Sequence, residues 1–261
     1  MALVLPGIWF FLLGAAMGSF FNVLVDRLPE GRDCISERSA CSSCGTQLRW
    51  YDLIPIFSFL IVKGKCRYCG AKLSAWYLVS EITVGLLYTA AFLRYSASAD
   101  LVTLFADIVL WSLLFIVAVM DWKTGMIMDI FPILIAASGI TVSLIRQRSI
   151  LSILLGGVAG AALFGSLYLL AKLILKREGL GLGDVFLLGA VGFWLPPVQV
   201  IITSFLTAYV ALFFILIKAV QMKKIGLKTE FPLGPSICIA ALIMCIFGER
   251  ISRFITGILL P

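Results

Sequence analysis

Leu101-Val-Thr-Leu-Phe-Ala-Asp107-Ile-Val-Leu-Trp-Ser-Leu-Leu-Phe-Ile-Val-Ala-Val-Met120 carries one formal charge in twenty residues, and Asp121 follows it directly. Twenty residues of α-helix rise about 30 Å, the thickness of a bilayer's hydrocarbon core. The stretch therefore reads as a transmembrane helix that ends on a carboxylate. Comparable apolar runs lie near residues 5–25, 76–95, 128–145, 151–175, 198–219 and 236–258, and a shorter one near 184–195 is interrupted by Gly189, Gly192 and Pro196-Pro197. Composition agrees: 61% of the 261 residues are apolar and 13% charged, with mean hydropathy +1.08, whereas soluble domains carry about 25% charged residues. The fold class expected is an all-α polytopic membrane protein of about eight transmembrane helices, the short one tilted or partly re-entrant.

Residues 27–75 differ in kind. They hold eight basic residues and five of the seven cysteines, and so small a module needs a staple to fold. The chain divides accordingly into a first transmembrane helix (1–26), a polar cysteine module (27–75) and a membrane domain (76–261). Sixteen of the 21 lysines and arginines fall at 27–75, 121–127, 172–184 and 218–230. The positive-inside rule then places the module in the cytoplasm and both termini in the periplasm. The net charge of +7 is explained by topology, and no nucleic-acid partner is expected. The first apolar run lacks a basic amino-terminal region and reads as a retained helix rather than a cleaved signal. Gly156, Gly160 and Gly165, with Ala161 between, predict close helix packing in lipid.

Cys41-Ser-Ser-Cys44 and Cys66-Arg-Tyr-Cys69 are two Cys-x-x-Cys knuckles, each followed by a glycine, Gly45 and Gly70. Four thiolates so spaced can close a tetrahedral zinc site with no open position, a small zinc-ribbon-like staple. Two disulfides are the alternative, disfavoured in the cytoplasm. Cys34 is left over, and Cys238 and Cys245 read as apolar packing. The chain has no histidine, which excludes Ser-His-Asp and Cys-His catalysis and His-ligated metal sites.

Acids within apolar helices are costly and need a reason. Of Glu81, Asp107, Asp121, Asp129 and Asp184, only Asp121 and Asp184 share a depth near the cytoplasmic boundary. Two carboxylates in a low-dielectric site hold a single proton between them, as an aspartic protease requires. The glycines of Gly181-Leu-Gly183-Asp184 would permit close backbone approach and positive φ beside the acid. Snorkelling or helix capping at the boundary accounts for such aspartates equally well from spacing alone. Asp107 reads as an interhelical hydrogen-bonding group, and Asp129 as a poor partner for Asp121.

Taken together these residues resemble the type 4 prepilin peptidases. The resemblance rests on Gly18-Ser-Phe-Phe-Asn22-Val, Arg27-Leu-Pro29, Arg38-Ser, Tyr51-Asp52-Leu-Ile-Pro55, both cysteine pairs, Ser80-Glu81, Asp121 with Asp129, Gly181-Leu-Gly-Asp184 and Phe231-Pro-Leu-Gly-Pro235. It implies a bifunctional enzyme of the bacterial inner membrane, active near the cytoplasmic face. Such an enzyme cuts the leader from type IV prepilins or type II secretion pseudopilins, then methylates the new amino terminus with S-adenosylmethionine. It also implies that Asp121 and Asp184 are catalytic and that Cys41, Cys44, Cys66 and Cys69 bind zinc. The chain departs from the family at Met128, Phe186 and the Cys-Ser-Ser-Cys knuckle. With no glycine-rich cofactor turn in the sequence, the methyl-donor pocket is expected near Asn22, Asp52 and Glu81. A proton- or cation-coupled transporter with a regulatory zinc module is the competing reading; it calls for acids at the midplane and an internal repeat.

Overall fold

The computed structural model describes residues 3–96, 100–175, 181–222 and 232–259. Its elements are helical: α1 (Val4–Arg27), α2 (Phe57–Ile61), α3 (Ala75–Tyr95), α4 (Leu101–Thr124), α5 (Ile130–Ile145), α6 (Ile150–Leu175), α7 (Leu182–Gly192), α8 (Pro197–Met222) and α9 (Gly234–Leu259). Two 3₁₀ turns, Leu28–Glu30 and Trp50–Leu53, lie within the cysteine module, the second between its two knuckles. Each apolar run of the sequence has become a helix. Among the described residues, α1, α3, α4, α6 and α8 are long and apolar enough to cross a bilayer. The eleven residues of α7 span about 16 Å, half the hydrocarbon thickness. Phe231 of the proline–glycine motif and the basic residues Lys176, Arg177, Lys223, Lys224 and Lys228 lie outside the described residues.

The chain forms two compact units, Met1–Ser112 and Leu113–Pro261, divided within α4. In the first, α1 and α3 touch backbone to backbone. A methyl group on Gly14 would sit 2.6 Å from the Val84 carbonyl oxygen, and one on Gly18 would sit 3.0 Å from Glu81 Cα. Helices this close can exchange short polar contacts, and Asn22 Nδ2 donates to Ser80 Oγ at 2.6 Å. Phe10 stacks on Phe92 with ring centroids 4.8 Å apart. Asp107 is buried and ion-paired with Arg94 at 3.2 Å, which gives this intramembrane acid the partner its solvent demands.

In the second unit, small residues set the spacing of α6 and α7. A methyl group at Gly156 would collide with the Gly192 carbonyl, and one at Gly160 with the Leu188 carbonyl. Gly165 also faces α7 but has room for a methyl group. Its nearest neighbour, Val185 Cγ1, lies at an ordinary 3.7 Å, so the expected triplet of packing glycines reduces to two. The far end of α7 is tied down by side chains. Trp194 Nε1 donates to the Ile135 carbonyl at 2.8 Å, Ser143 Oγ to the Phe193 carbonyl at 2.9 Å, and Arg148 to the Trp194 carbonyl at 2.9 Å. The last two bonds satisfy carbonyls that the end of α7 leaves unpaired.

Gly160→Leu is expected to force α6 off α7 and to lower stability by about 3 kcal/mol, the upper range for overpacking. Gly165→Ala is expected to be neutral or slightly stabilising. Denaturant titration of the two variants in mild detergent checks the contrast.

Candidate active site and metal centre

Asp121 occupies the last turn of α4. Gly125, at φ +67°, closes that turn by donating its N–H to the Asp121 carbonyl at 2.8 Å. The helix stops there, so Asp129 is not on a continuation of it; Asp129 precedes α5 and is exposed. Asp184 lies in the first turn of α7. Both side chains are buried, Asp121 at 5% exposure and Asp184 at 8%. Acids that merely snorkelled would reach water, and these do not. Asp184 lies within electrostatic reach of Asp121, and the thiol of Cys238 within reach of both.

A third helix completes this cluster. The N–H of Gly234, the first residue of α9, donates to Asp121 Oδ2 at 2.9 Å in a buried bond. A methyl group on Gly234 would lie 2.6 Å from the same oxygen and 2.9 Å from Cγ. Only glycine lets the backbone come so near. The Pro-Leu-Gly-Pro motif has no role legible in the sequence, because nothing local connects position 234 to position 121. The expected reason for the glycines at 181 and 183 needs correction. Neither has positive φ; Gly181 is extended, at φ −75° and ψ 142°. The other half of that expectation, close approach, is what their smallness serves. A Cβ at Gly183 would press on Ile127 at 3.1 Å, and one at Gly181 would lie 3.4 Å from Asp184 Oδ2.

The four cysteines of the module converge. Their sulfurs all lie within 4.8 Å of one another, and all four thiols are free. In each knuckle the first cysteine's carbonyl accepts from the glycine after the second, Gly45 N–H at 2.8 Å and Gly70 N–H at 2.9 Å, with both glycines in the left-handed region. Short antiparallel bridges, Ala40 to Gln47 and Lys65 to Lys72, close the two loops. Backbone amides of residues 43 and 44 lower the Cys41 thiol pKa, and those of 68 and 69 lower that of Cys66. At Cys69 the Ala71 amide acts downward, but desolvation and the neighbouring sulfurs outweigh it and lift the thiol to about 11. Four sulfurs competing to ionise in one small volume call for a cation. A tetrahedral ion with 2.3 Å bonds needs sulfur–sulfur edges of about 3.8 Å, a short adjustment from the arrangement present.

The three residues expected near the methyl donor make different hydrogen bonds within the first unit. Asp52 belongs to the metal module. Its carboxylate accepts from Arg67 Nε at 2.8 Å, Tyr68 Oη at 2.8 Å and the Arg49 amide at 3.2 Å. Arg67 and Tyr68 are the middle residues of the second knuckle, so Asp52 clamps that knuckle to the Trp50–Leu53 turn. Burial opposes ionisation of Asp52, but these donors prevail and hold its pKa below the ordinary value.

Asn22 and Glu81 sit side by side through Ser80. The Ser80 hydroxyl donates to the Tyr77 carbonyl, so its oxygen must accept from Asn22 Nδ2. That fixes the amide orientation and leaves Asn22 Oδ1 buried without a partner. Glu81 Oε2 accepts the Ile56 N–H at 2.7 Å. Ile56 is held at φ 63° and ψ −55°, with Phe57 N–H reaching back to the Pro55 carbonyl at 2.6 Å. This is a rare left-handed γ-turn, centred on a β-branched residue, and it costs about 1–3 kcal/mol.

Residues 12–95 match the family described as the bacterial peptidase A24 N-terminal domain, and residues 108–216 match the type IV leader peptidase family. Proteins named prepilin leader peptidase/N-methyltransferase are similar along most of the chain. The relative from Klebsiella pneumoniae is 35% identical over 197 residues, 72% of this chain and 85% of its own. That from Bacillus subtilis (strain 168) is 31% identical over 94% of this chain and 95% of its own. That from Vibrio cholerae is 30% identical over 91% and 95%. No solved structure matches the chain. With both halves matched in order and relatives 30–35% identical over 72% or more of the chain, it belongs to the type IV leader peptidase family.

Proposed function

We propose that this chain is a membrane aspartic endopeptidase and N-methyltransferase. It removes the leader of type IV prepilins or type II secretion pseudopilins at the cytoplasmic face of the bacterial inner membrane. It then methylates the amino terminus so exposed. Family membership supports both activities, and nothing supports the transport alternative. The peptidase half is carried by one observation: Asp121 and Asp184, buried on helices distant in sequence, lie within one another's field, and the Gly234 amide holds Asp121 in place.

In the proposed reaction the dyad holds one proton. The ionised carboxylate takes a proton from water as the water oxygen attacks the scissile carbonyl. The protonated partner gives its hydrogen to the carbonyl oxygen, forming a gem-diol. Collapse breaks the C–N bond, returns a proton to a carboxylate and delivers one to the leaving amine. The Gly234 bond fixes the Asp121 carboxyl plane, a precondition for in-place proton transfer.

For methyl transfer, S-adenosylmethionine supplies an electrophilic methyl group when bound. Asn22 and Glu81 suit it: the orphaned Asn22 Oδ1 calls for an N–H donor, and the Glu81 carboxylate complements a cationic ligand. Asp52 is reassigned to the module. Zinc is the ion inferred for Cys41, Cys44, Cys66 and Cys69, because soft thiolates in a closed tetrahedral set select it. The segment 27–75 is read as a separate metal module in the cytoplasm, and eight transmembrane passages with periplasmic termini follow from the basic loops.

Asp121→Asn and Asp184→Asn are each expected to abolish leader removal while the protein inserts and binds S-adenosylmethionine normally. Gly234→Ala is expected to lower cleavage at least about 100-fold through misplacement of Asp121. Purified variants are incubated with a prepilin and labelled methyl donor, and the mass of the mature amino terminus is read. Full processing by either Asn variant removes the dyad. Asn22→Ala should weaken S-adenosylmethionine binding about tenfold without loss of zinc. Asp52→Ala should do the reverse, lowering zinc affinity about tenfold, as followed by chelator competition. Cys66→Ser should release the metal and expose residues 40–73 to protease.

A further inference from the structure

We propose that Trp50–Ile61 is an interfacial anchor that seats the metal module in the headgroup region of an anionic leaflet. The inference is independent of the catalytic dyad.

The first observation is depth. Glu81 lies six residues into α3, a helix apolar enough to span the bilayer from Ala75 onward. Six residues correspond to about 9 Å along the axis. The Glu81–Ile56 bond therefore draws the loop down beside the first turns of a transmembrane helix. The strained turn at Ile56 is what allows the chain to descend and leave again. Lys63 and Gly64, at φ 54° and 68°, reverse it back toward Cys66.

The second observation is the face this loop presents. Phe57, Leu60 and Ile61 follow the i, i+3, i+4 spacing of one helix side and are 54%, 57% and 69% exposed. Trp50 at 77% and Leu53 at 43% extend the patch. Phe59, by contrast, turns inward over Gly64. An α-helix of five residues surrounded by water would not keep its large side chains outward and its small core face inward. Beside a transmembrane helix, the outward side chains meet acyl chains.

Charge selects the occupant. Between residues 49 and 74 the basic side chains are Arg49, Lys63, Lys65, Arg67 and Lys72, all exposed, and Asp52 is the one acid, already bonded to Arg67. Trp50, Tyr51, Trp76 and Tyr77 supply the aromatic residues that favour the headgroup level. A basic collar around an apolar wedge suits anionic lipid.

The test uses the metal-loaded full chain in nanodiscs of phosphatidylglycerol or phosphatidylcholine, brominated near the headgroup end of the acyl chains. The Trp50→Phe variant serves as the fluorescence reference. In brominated phosphatidylglycerol the Trp50 contribution is expected to be roughly halved. Leu60→Glu with Ile61→Glu should abolish that quenching while metal content is unchanged. Lys63→Gln with Lys65→Gln, which leaves the apolar face intact, should weaken quenching in phosphatidylglycerol but not in phosphatidylcholine. Absence of quenching in phosphatidylglycerol overturns the proposal. So does quenching that is indifferent to the lysines, or that arises only when a prepilin is added.

Discussion

A buried carboxylate must be given a hydrogen-bond donor, and here the donor comes from 113 residues away. The Gly234 amide on Asp121 Oδ2 joins the start of α9 to the end of α4. It does so only because residue 234 has no side chain. The requirement propagates outward. α7 must bring Asp184 into the field of the pair, so it must be short and closely packed. Gly183 meets Ile127, and Gly192 and the Leu188 carbonyl meet glycines of α6. The small residues of this unit are therefore a chain of close approaches that ends at the two acids.

The first unit solves a different problem with related means. Its cysteine module has no core large enough to fold on burial alone, and two mechanisms compensate. The sulfurs gather in two glycine-terminated knuckles, and Asp52 grips the middle residues of one of them. A separate tie, Glu81 to the Ile56 amide, holds the adjoining loop against α3. Buried polar groups that find partners rigidify a site, whereas one left unpaired marks where a ligand's polar group is missing. Asn22 Oδ1 is unpaired, which is the observation behind its proposed role toward the methyl donor.

Much of this was legible along the chain. The apolar runs gave every long helix to within a few residues, because a helix facing lipid needs unbroken hydrophobic length. The cysteine knuckles were legible because Cys-x-x-Cys followed by glycine is a local geometry, complete within six residues. Asp107 was rightly assigned an interhelical partner, since an acid at that depth cannot go without one. The errors were of another kind. Close approach and positive φ were both expected at Gly181 and Gly183, and only the close approach is present. Asp52 was grouped with Asn22 and Glu81 because all three are polar residues in recognisable motifs; its bonds to Arg67 and Tyr68 of the second knuckle were not legible there. The helix α2 was missed within a segment taken as polar.

The sequence alone determined which segments can lie in a bilayer, which side chains can bind a soft metal ion and which acids are out of place in their solvent. Those properties belong to single residues or to spacings within one or two turns. Tertiary structure decided which acids meet, which glycine amide reaches Asp121 and how deep the Ile56 loop is drawn along α3. Each of these is a contact between residues far apart in the chain. Such contacts are set by how backbones pack at glycine-sized distances, which no local periodicity encodes.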